Sequence, residues 1–219
     1  MSNYVAVLDT ETTGFMKKVP ANDPGQNVAC EIAVALVNVD TRRIEQIASF
    51  IIKTDVPIPQ FLVDEVHGIS NEFSQAVGQT LDDAMMPILR LCEASGWNIV
   101  CHNVKFDKEV MEIMIQRSSV PFMLHNWSNA SFYCTMQASQ YIANLPPTPA
   151  MLKAGRNEPK VPKLEEAYQF FYKKPMGEAH RAWVDVQRTI DVYFAIQDWN
   201  TAKQFQEYCE VNDPLSGIS

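Results

Sequence analysis

Apolar and polar positions follow strand periodicity early in the chain and alternate between strand and helix patterns afterwards. Apolar runs rich in β-branched residues, bounded by turn residues, predict five strands. The first has its apolar run at 4–8 and continues through Asp9 and Glu11, and the others lie at 31–39, 44–54, 97–101 and 131–136. A short polar turn at 40–43 joins the second strand to the third, so the first three should form an antiparallel meander. This order predicts one α/β domain over residues 1–219, with a mixed five-stranded sheet.

Amphipathic periodicity predicts helices at 80–94, 104–116, 137–144, 163–172, 181–199 and 201–211. Thr80 should cap the first of them, with Asp83 three residues later, and Pro87 predicts a kink inside it. Three stretches are irregular: a polar connection at 15–29, a loop at 66–70, and a proline-rich stretch at 145–162. We interpret the last as a mobile basic loop within the domain, because the helices that follow it complete the set of acids described below.

Two acids, Asp9 and Glu11, follow the apolar run at the end of the first buried strand. Side chains two residues apart share a face of a strand, so both carboxylates should lie on one side. Neighbouring carboxylates that lose hydration repel each other unless a cation or a shared proton relieves them. Oxygen ligands of this kind suit Mg²⁺ or Mn²⁺, which predicts a divalent-cation site. The alternative is that the strand ends at Leu8 and both acids are solvated loop residues.

Two further acids lie on predicted helices, near the faces that should contact the core. Asp107 has apolar residues at i+3, i+4 and i+7, the stripe positions of an amphipathic helix. Asp185 falls at the edge of the apolar face of its helix. Taken singly, Asp107 could be a first-turn acid stabilised by the helix dipole, and Asp185 could pair with Arg181 or Arg188.

His180 stands five residues before Asp185. Histidine titrates near neutral pH and suits a general base, although a lone histidine near a helix start is more often a cap or a surface residue. The other three histidines, His67, His102 and His125, are interpreted from the sequence as capping or surface residues.

Composition limits the class of protein more than it identifies a substrate. Hydrophobic residues make up 47% of the chain, enough for one sizeable core. A formal net charge of -8 is unusual for a protein that binds phosphates, but metal-binding acids would explain part of it and local patches decide binding. The chain has no apolar run of membrane-spanning length, no signal peptide, and five scattered cysteines without a C-x-x-C pair. These features predict a cytoplasmic, reducing environment and no membrane contact.

Three motifs, in this order, resemble those of the DEDDh family of 3′→5′ exonucleases, within the ribonuclease H-like superfamily. The D-x-E-T-T-G motif is matched at 9–14, the N-x-x-F-D motif at 103–107 and the H-x-x-x-x-D motif at 180–185. The H-G-I-S loop at 67–70 is similar to an H-G-I-T/S segment of many members. Each motif alone is weak, but together they are highly specific. Proofreading exonuclease domains of bacterial replicative polymerases belong to this family.

The resemblance implies a ribonuclease H-like fold and a phosphodiesterase that uses two divalent cations, Mg²⁺ or Mn²⁺. Asp9, Glu11 and Asp185 would hold the cation on the side of the nucleophile. Asp9 would also bridge to the second cation, which Asp107 would support directly or through water. The two ions would activate water and stabilise the attacking and leaving oxygens. His180 would take the proton of the water as a neutral base, so activity should favour neutral to alkaline pH.

The same resemblance implies a set of residues that bind the terminal nucleotide. The candidates are Thr12, Thr13, Gly14, Phe15, His67, Asn103 and Phe106. The Thr-Thr-Gly turn offers backbone groups and hydroxyls, and the two phenylalanines could stack on the base, although Phe106 could equally pack in the core. Basic residues at 17, 18, 153, 156, 160 and 163 are candidates for phosphate contacts or, singly, ordinary surface charges.

Two departures from the family pattern bear on the substrate. Many members carry Asp-Thr where this chain has Cys134-Thr135, and the stretches at 15–29 and 145–162 are longer than in minimal members. We expect hydrolysis of single-stranded DNA from the 3′ end to nucleoside 5′-monophosphates, in replication or repair, with a polymerase or replication protein as partner. DNA is favoured over RNA because no residue indicates a contact to the 2′-hydroxyl.

Three alternatives remain at this point. The first is an exoribonuclease on the same fold. The second is an aspartate-nucleophile phosphatase, whose D-x-D-x-T motif also follows a strand; here the second acid is Glu11, and that scheme has no use for His180 and Asp185. The third is a non-catalytic nucleic-acid-binding domain, which the presence of all four acids and the histidine disfavours.

Overall fold

A mixed five-stranded sheet forms the centre of the fold in this computed structural model, which describes residues 3–177 and 180–211, with side chains up to residue 206. The strands are β1 (Tyr4–Thr12), β2 (Ala29–Asn38), β3 (Ile44–Ile51), β4 (Asn98–Cys101) and β5 (Ser131–Cys134), in the order β3-β2-β1-β4-β5. The first three are antiparallel, and β4 and β5 run parallel to β1. The predicted meander and mixed sheet are therefore confirmed.

Helices cover the sheet in the described part of the chain. They are α1 (Gln60–Glu65), α2 (Asn71–Val77), α3 (Leu81–Ala94), α4 (Val104–Arg117), α5 (Leu124–Ser128), α6 (Thr135–Ala138), α7 (Gln140–Ala143), α8 (Pro149–Lys153), α9 (Leu164–Tyr172) and α10 (Ala182–Val211), with a 3-10 turn at Pro121–Met123. None of the helices in that part is long and apolar enough to cross a membrane.

The alternation of side chains along β1 divides the core between two faces of the sheet. Ala6 and Leu8 pack against buried residues of α3 and α4 on one face. Val5 and Val7 pack on the other face against Ala182 and further apolar residues of α10. Because both faces are covered, β1 is apolar on both sides until it reaches the acids.

The predicted start of the helix at Thr80 is confirmed, whereas the predicted division of the last helix near residue 200 is wrong. The Thr80 hydroxyl accepts a hydrogen bond from Asp83 N–H, so α3 begins where predicted; it continues through Pro87, whose kink stays a prediction. The two predicted helices at 181–199 and 201–211 are one helix, α10. No proline or glycine interrupts it, and the Thr201 hydroxyl donates to Gln197 O inside the helix instead of starting a new one.

Other boundaries moved for local reasons. β3 ends at Ile51 instead of residue 54, and β5 ends at Cys134, after which the chain turns directly into α6 and α7 instead of one helix at 137–144. The proline-rich stretch contains α8, and Lys160 N–H donates to Leu145 O at 3.1 Å, which closes the stretch at its base. The predicted loop at 173–179 includes residues 178 and 179, which lie outside the described residues.

The sequence did not predict α1 and α2, which lie between β3 and α3. The end of α2 docks on the sheet: Gln79 N–H donates to Ile51 O at 2.8 Å, and Lys53 N–H donates to Gln79 O at 2.8 Å. Gly78 permits this approach, because a Cβ there would lie 2.4 Å from Ser74 O and 2.8 Å from Lys53 N. Both neighbours are backbone atoms that cannot move aside, so the contact requires glycine.

Replacing Gly78 by alanine should therefore destabilise the protein. Forcing a methyl group into this contact costs about 2 kcal/mol, which lowers the melting temperature by roughly 4–8 °C for a chain of this size. Gly25→Ala is the matched control, since its Cβ would meet only the Asp23 side chain at 3.1 Å. Thermal unfolding followed by circular dichroism checks the prediction, which equal melting temperatures for the two variants would contradict.

Candidate active site

The candidate site lies where β1 extends past its parallel neighbour. β1 pairs with β4 only at Ala6–Ile99 and Val7–Val100, whereas it stays paired with β2 as far as Thr12. The last residues of β1 are therefore open on the β4 side. Crevices at the carboxyl ends of parallel strands are common binding sites in α/β proteins.

Three elements bring the four predicted acids to this place. Asp9 and Glu11 lie on β1, Asp107 lies in the first turn of α4, and Asp185 lies in the first turn of α10. α4 and α10 cover opposite faces of the sheet, so the site is enclosed from both sides at the end of β1. The alternative in which the strand ends at Leu8 is wrong, because β1 continues to Thr12.

Burial and mutual repulsion dominate the electrostatics of these acids. Burial raises the pKa of Asp9 well above its ordinary value, and the negative charges of Asp107, Asp185 and Glu11 raise it further. Burial also raises the pKa of Glu11 to about 8, with added repulsion from Asp185 and Glu31. A group of carboxyl groups with raised pKa values in a crevice is an expected property of a functional site.

Asp107 is buried on the core side of α4, as predicted, with only 2% of its surface exposed. The Thr10 hydroxyl donates to Asp107 Oδ1 at 3.0 Å. Burial raises the pKa of Asp107 to about 7, and the Thr10 hydrogen bond partly offsets that rise. Thr10 therefore fixes one carboxylate oxygen of Asp107 from the neighbouring strand.

Asp185 and His180 are tied to each other. The backbone N–H of His180 donates to Asp185 Oδ2 at 3.1 Å, and His180 adopts a left-handed backbone with φ 64°. Asp185 is only 8% exposed, and its other oxygen, Oδ1, is buried without a hydrogen-bond partner among the described residues. Burial raises the pKa of Asp185. Its predicted alternative, an ion pair with Arg181 or Arg188, is wrong, since those arginines pair with Glu31 and Asp191.

Glu31 is a fifth acid at the site, and the sequence argument missed it. It lies opposite Glu11 on β2 and is buried. Its carboxylate accepts hydrogen bonds from Arg181 Nε at 3.1 Å, Arg181 Nη2 at 3.0 Å and Ala182 N–H at 3.0 Å. This clamp fixes the start of α10, and with it the position of Asp185. The available signal was an acid within an otherwise apolar strand.

The donor set of the site fits divalent cations. Ligand atoms of Glu11, His180 and Asp185 lie within 4.8 Å of one another. The unpartnered Asp185 Oδ1 and the raised pKa of Asp9 both indicate oxygens that lack a positive partner inside the protein. Several carboxylate oxygens close together suit Mg²⁺ or Mn²⁺. The residues able to hold such cations are Asp9, Glu11, Asp107 and Asp185.

The turn after β1 is held by its own side chains. Thr12 hydroxyl donates to Gly14 O at 3.0 Å, and Thr13 Oγ1 accepts from Val28 N–H at 3.1 Å. Gly14 has φ 141°, and a Cβ there would lie 2.7 Å from Asn27 Nδ2, so glycine is required. The threonine side chains therefore shape the turn.

His67 supports the same turn from the loop between α1 and α2. Its Nδ1 accepts from Ile69 N–H at 3.1 Å, so Nε2 carries the proton and donates to Thr12 O at 3.2 Å. Burial lowers the pKa of His67, which keeps this neutral form. Its interpretation as a surface residue is wrong, and its expected contact with substrate stays a prediction.

An apolar cavity of about 300 Å³ opens beside Glu11 and Thr12, near the lower end of the range for ligand pockets. Phe15, which is 84% exposed, and Phe106 face each other across it, with ring centroids 6.1 Å apart at 82°. Exposed Phe61 and Val66, which the sequence argument did not select, complete the lining. The structure thus brings most of the predicted substrate residues together at one opening.

The remaining predicted residues lie around β4. Asn103 precedes α4 with an exposed side chain that makes no capping hydrogen bond. His102 beside it is buried, with Nδ1 2.9 Å from Thr135 Oγ1 and Nε2 3.1 Å from Pro162 O, and burial lowers its pKa to about 4. Its contact with Pro162 O fixes the end of the proline-rich stretch. Two of that stretch's basic residues are neutralised, Arg156 by Glu158 and Lys160 by Glu166.

A larger cavity of about 580 Å³ lies at the other end of the sheet, where β1 begins. Tyr4, Tyr133 and Tyr193 are among its lining residues, and none of the four site acids reaches it. The candidate site is the smaller opening, because Glu11, whose pKa burial raises to about 8, lines it, and the charges of Asp9, Asp107 and Asp185 act on one another at the same end of β1.

The raised pKa values predict that the metal-free protein becomes less stable as pH rises. A carboxyl group whose pKa is higher in the folded than in the unfolded chain costs stability once it ionises. For Glu11 the loss begins near the ordinary pKa of 4.5 and is complete above about 8. We expect the melting temperature in EDTA to fall by on the order of 10 °C from pH 5 to pH 8.5.

Glu11→Gln cannot ionise, so it should flatten this fall and exceed the wild type in stability at high pH. Glu45→Gln, at an exposed position of β3, is the control and should follow the wild-type curve. Melting curves of the three proteins across the pH range give the answer. Parallel curves for wild type and Glu11→Gln would contradict the electrostatic account.

Comparison with solved structures finds the same fold. E. coli exonuclease I in complex with a dT13 oligonucleotide is 18% identical, with a TM-score of 0.65 over 94% of this chain and 43% of that one. Exonuclease I from Methylocaldum szegediense is 17% identical, with a TM-score of 0.63 over 89% of this chain and 40% of that one. The chain therefore spans less than half of these exonuclease I proteins.

The nuclease domain of 3'hExo, a DEDDh family member bound to rAMP, is 13% identical, with a TM-score of 0.59 over 91% of this chain and 93% of that one. The sequence has no match among curated proteins. The family model RNase_T, an exonuclease family, matches residues 6–193. The resemblance drawn from the motifs is thus confirmed, and the chain belongs to the RNase_T exonuclease family.

Proposed function

We propose that the chain hydrolyses single-stranded DNA from its 3′ end, releasing nucleoside 5′-monophosphates, with two divalent cations. The observation that carries the proposal is the convergence of four acids, from β1, α4 and α10, beside an opening lined by aromatic residues. Carboxylates that repel each other in a buried crevice favour binding of cations, and an adjoining aromatic opening favours binding of a base.

The residues divide the work between cations and substrate. Asp9, Glu11 and Asp185 would supply oxygens for one cation, and Asp107, whose Oδ1 accepts from the Thr10 hydroxyl, would support the second. Divalent cations, when bound, lower the pKa of water and stabilise charge on the attacking and leaving oxygens. The hydrogen bonds of Glu31 with Arg181 and with Ala182 N–H fix the start of α10, and therefore Asp185, next to the sheet.

His180 would accept the proton of the attacking water. Its side chain is exposed, and its ligand nitrogen lies within 4.8 Å of Glu11 and Asp185 oxygens. The hydrogen bond from its own backbone to Asp185 holds it at this position. A general base must reach the water that it deprotonates, and this location at the border of acids and solvent meets that requirement.

The aromatic opening supports a single-stranded substrate over a duplex. Phe15 and Phe106 offer ring faces and edges to an unpaired terminal base, and stacking of this kind tolerates any sequence. Asn103 stands exposed before α4, where a backbone phosphate could be reached. The solved structure of E. coli exonuclease I with dT13 supports an oligonucleotide ligand on this fold.

DNA is favoured over RNA because polar side chains at the opening are already engaged. The Thr12 hydroxyl bonds within its turn, His67 uses both ring nitrogens, and Thr10 bonds to Asp107. Among the described lining residues, the hydrogens of these groups are therefore already committed and are not available to donate to a 2′-hydroxyl. The rAMP complex of 3'hExo makes an exoribonuclease the alternative to be tested.

We also infer a single exonuclease domain over residues 1–219 in a reducing, intracellular compartment. One sheet carries all the site elements, and the cysteines Cys30, Cys92, Cys101 and Cys134 are free thiols, the first three buried. The expectation of a polymerase or replication protein as partner follows from the family resemblance alone.

The central test is incubation with end-labelled single strands and Mg²⁺ or Mn²⁺. We expect stepwise shortening from the 3′ end, release of 5′-monophosphates, and complete loss of activity in EDTA. Asp9→Asn should reduce the rate by at least about 10³-fold while the protein stays folded, because an amide cannot neutralise the cations. Wild-type activity in Asp9→Asn, or release from the 5′ end, would overturn the proposal.

The choice of nucleic acid has its own prediction. Matched DNA and RNA oligonucleotides of one sequence, degraded side by side in Mg²⁺, should give a kcat/KM at least about fivefold higher for DNA, a difference of about 1 kcal/mol. Equal values or faster RNA cleavage would make the exoribonuclease alternative correct. An inactive control, Asp9→Asn, excludes contaminating nucleases.

A further inference from the structure

The cavity at the beginning of β1 has no part in the proposed function, although it is the larger of the two openings described above. Its volume of about 580 Å³ lies within the range of ligand-binding pockets. None of the four site acids lines it, because it lies at the opposite end of β1. The cavity is therefore a second candidate binding site.

The floor of the cavity is a part of the sheet that α10 does not cover. Asn98 of β4 pairs with Ser131 of β5, and Val100 pairs with Tyr133, so each pair lies side by side on one face. Val100 and Tyr133 pack in the same apolar cluster as residues of α10. Ser131 is exposed and Asn98 is only partly buried. This row at the beginning of the strands is therefore open to a ligand.

Two tyrosine rings form a right-angled corner of the cavity. The ring centroids of Tyr133 and Tyr193 lie 5.4 Å apart, with an angle of 88° between the ring planes. Tyr133 comes from β5 and Tyr193, which is only 9% exposed, comes from α10, so packed elements hold both rings. The faces of aromatic rings carry negative charge density, and alkylammonium ions bind in cages built from such rings.

The charge of the lining also favours a cation. Asp40 is the single charged side chain among the described lining residues, and its Oδ2 accepts a hydrogen bond from Asn3 Nδ2 at 2.6 Å. Burial raises the pKa of Tyr133 and of Tyr193, so both hydroxyls stay neutral near pH 7. A phosphate group needs lysine, arginine or another donor of positive charge, which the described lining lacks. Nucleotides are therefore disfavoured here.

We propose that this cavity binds an organic cation, an alkylammonium compound with an apolar body. The ammonium group would lie between the tyrosine corner and the carboxylate of Asp40. The apolar body would lie over Val5 and Val100, which belong to the apolar cluster on this face of the sheet. The site does not depend on the proposed function, because it shares no residue with the candidate active site.

Choline and its neutral isostere 3,3-dimethylbutanol are the probes for this site, because they share a shape and differ in charge. Titration of the full chain with each probe is followed in amide NMR spectra. Choline should shift the resonances of Val100 and Ser131, and its dissociation constant should be at least about fivefold lower than that of the alcohol. Equal affinities, no binding of choline, or shifts confined to other parts of the chain would overturn the proposal.

Two variants separate the contributions of charge and of the rings. Asp40→Asn, at an exposed position, should weaken choline binding at least about threefold and leave binding of the alcohol unchanged, because only choline carries a charge. Tyr193→Leu should weaken choline binding at least about tenfold. The matched control is Tyr141→Leu, which changes a tyrosine that is 70% exposed and lies outside the lining. It should bind choline as the wild type does.

Wild-type affinity for choline in Asp40→Asn would contradict the proposal, and this outcome can be read even if Tyr193→Leu does not fold. Asp40→Asn should also degrade single-stranded DNA with the kcat/KM of the wild type. Choline binding that depends on Asp40, in a protein without nuclease activity, would support this site and refute the proposed function. Nuclease activity without choline binding would do the reverse.

Discussion

Repulsion among buried carboxylates is the constraint on which the site depends. Four acids lie close enough to raise the pKa of Asp9 well above its ordinary value, and no lysine or arginine is recorded in an ion pair with any of them among the described residues. The fold bears this cost because the apolar faces of β1 are fully covered elsewhere. Such a cluster favours the binding of cations, because positive ions bound there would relieve the repulsion among the carboxylates.

The rest of the structure holds the acids in place against that repulsion. β4 stops early, which opens the end of β1, and Thr10 orients Asp107 from within the strand. Glu31 fixes the start of α10 through Arg181 and Ala182, so this ion-paired acid holds the position of Asp185. His67 and Gly14 shape the turn that borders the aromatic opening. The site is therefore rigid on the protein side, and His180 is its most exposed member.

Sequence patterns predicted the parts of this arrangement that local chemistry controls. The strand pattern of β1, the cap at Thr80 and the core-facing position of Asp107 follow from period and residue type, and the structure agrees. Local sequence patterns could not predict ion pairs between residues that lie far apart in the chain. The alternative that paired Asp185 with Arg181 on its own helix is wrong, because Arg181 pairs with Glu31, 150 residues away. The break predicted at Thr201 is wrong, because its hydroxyl bonds inside the helix. The sequence did not predict α1, which begins directly after Pro59, or α2, which has only seven residues after its Ser70 cap.

Proton release on metal binding tests the central claim most directly. If the acids hold raised pKa values, cations must displace protons when they bind near neutral pH. Calorimetric titration of the protein with MnCl₂ at pH 7, in buffers of different ionisation enthalpy, measures how many protons each chain releases. The account predicts two Mn²⁺ ions per chain and release of at least one proton, because the pKa of Glu11 is about 8 and that of Asp107 about 7. Binding without proton release, or no binding, would contradict it.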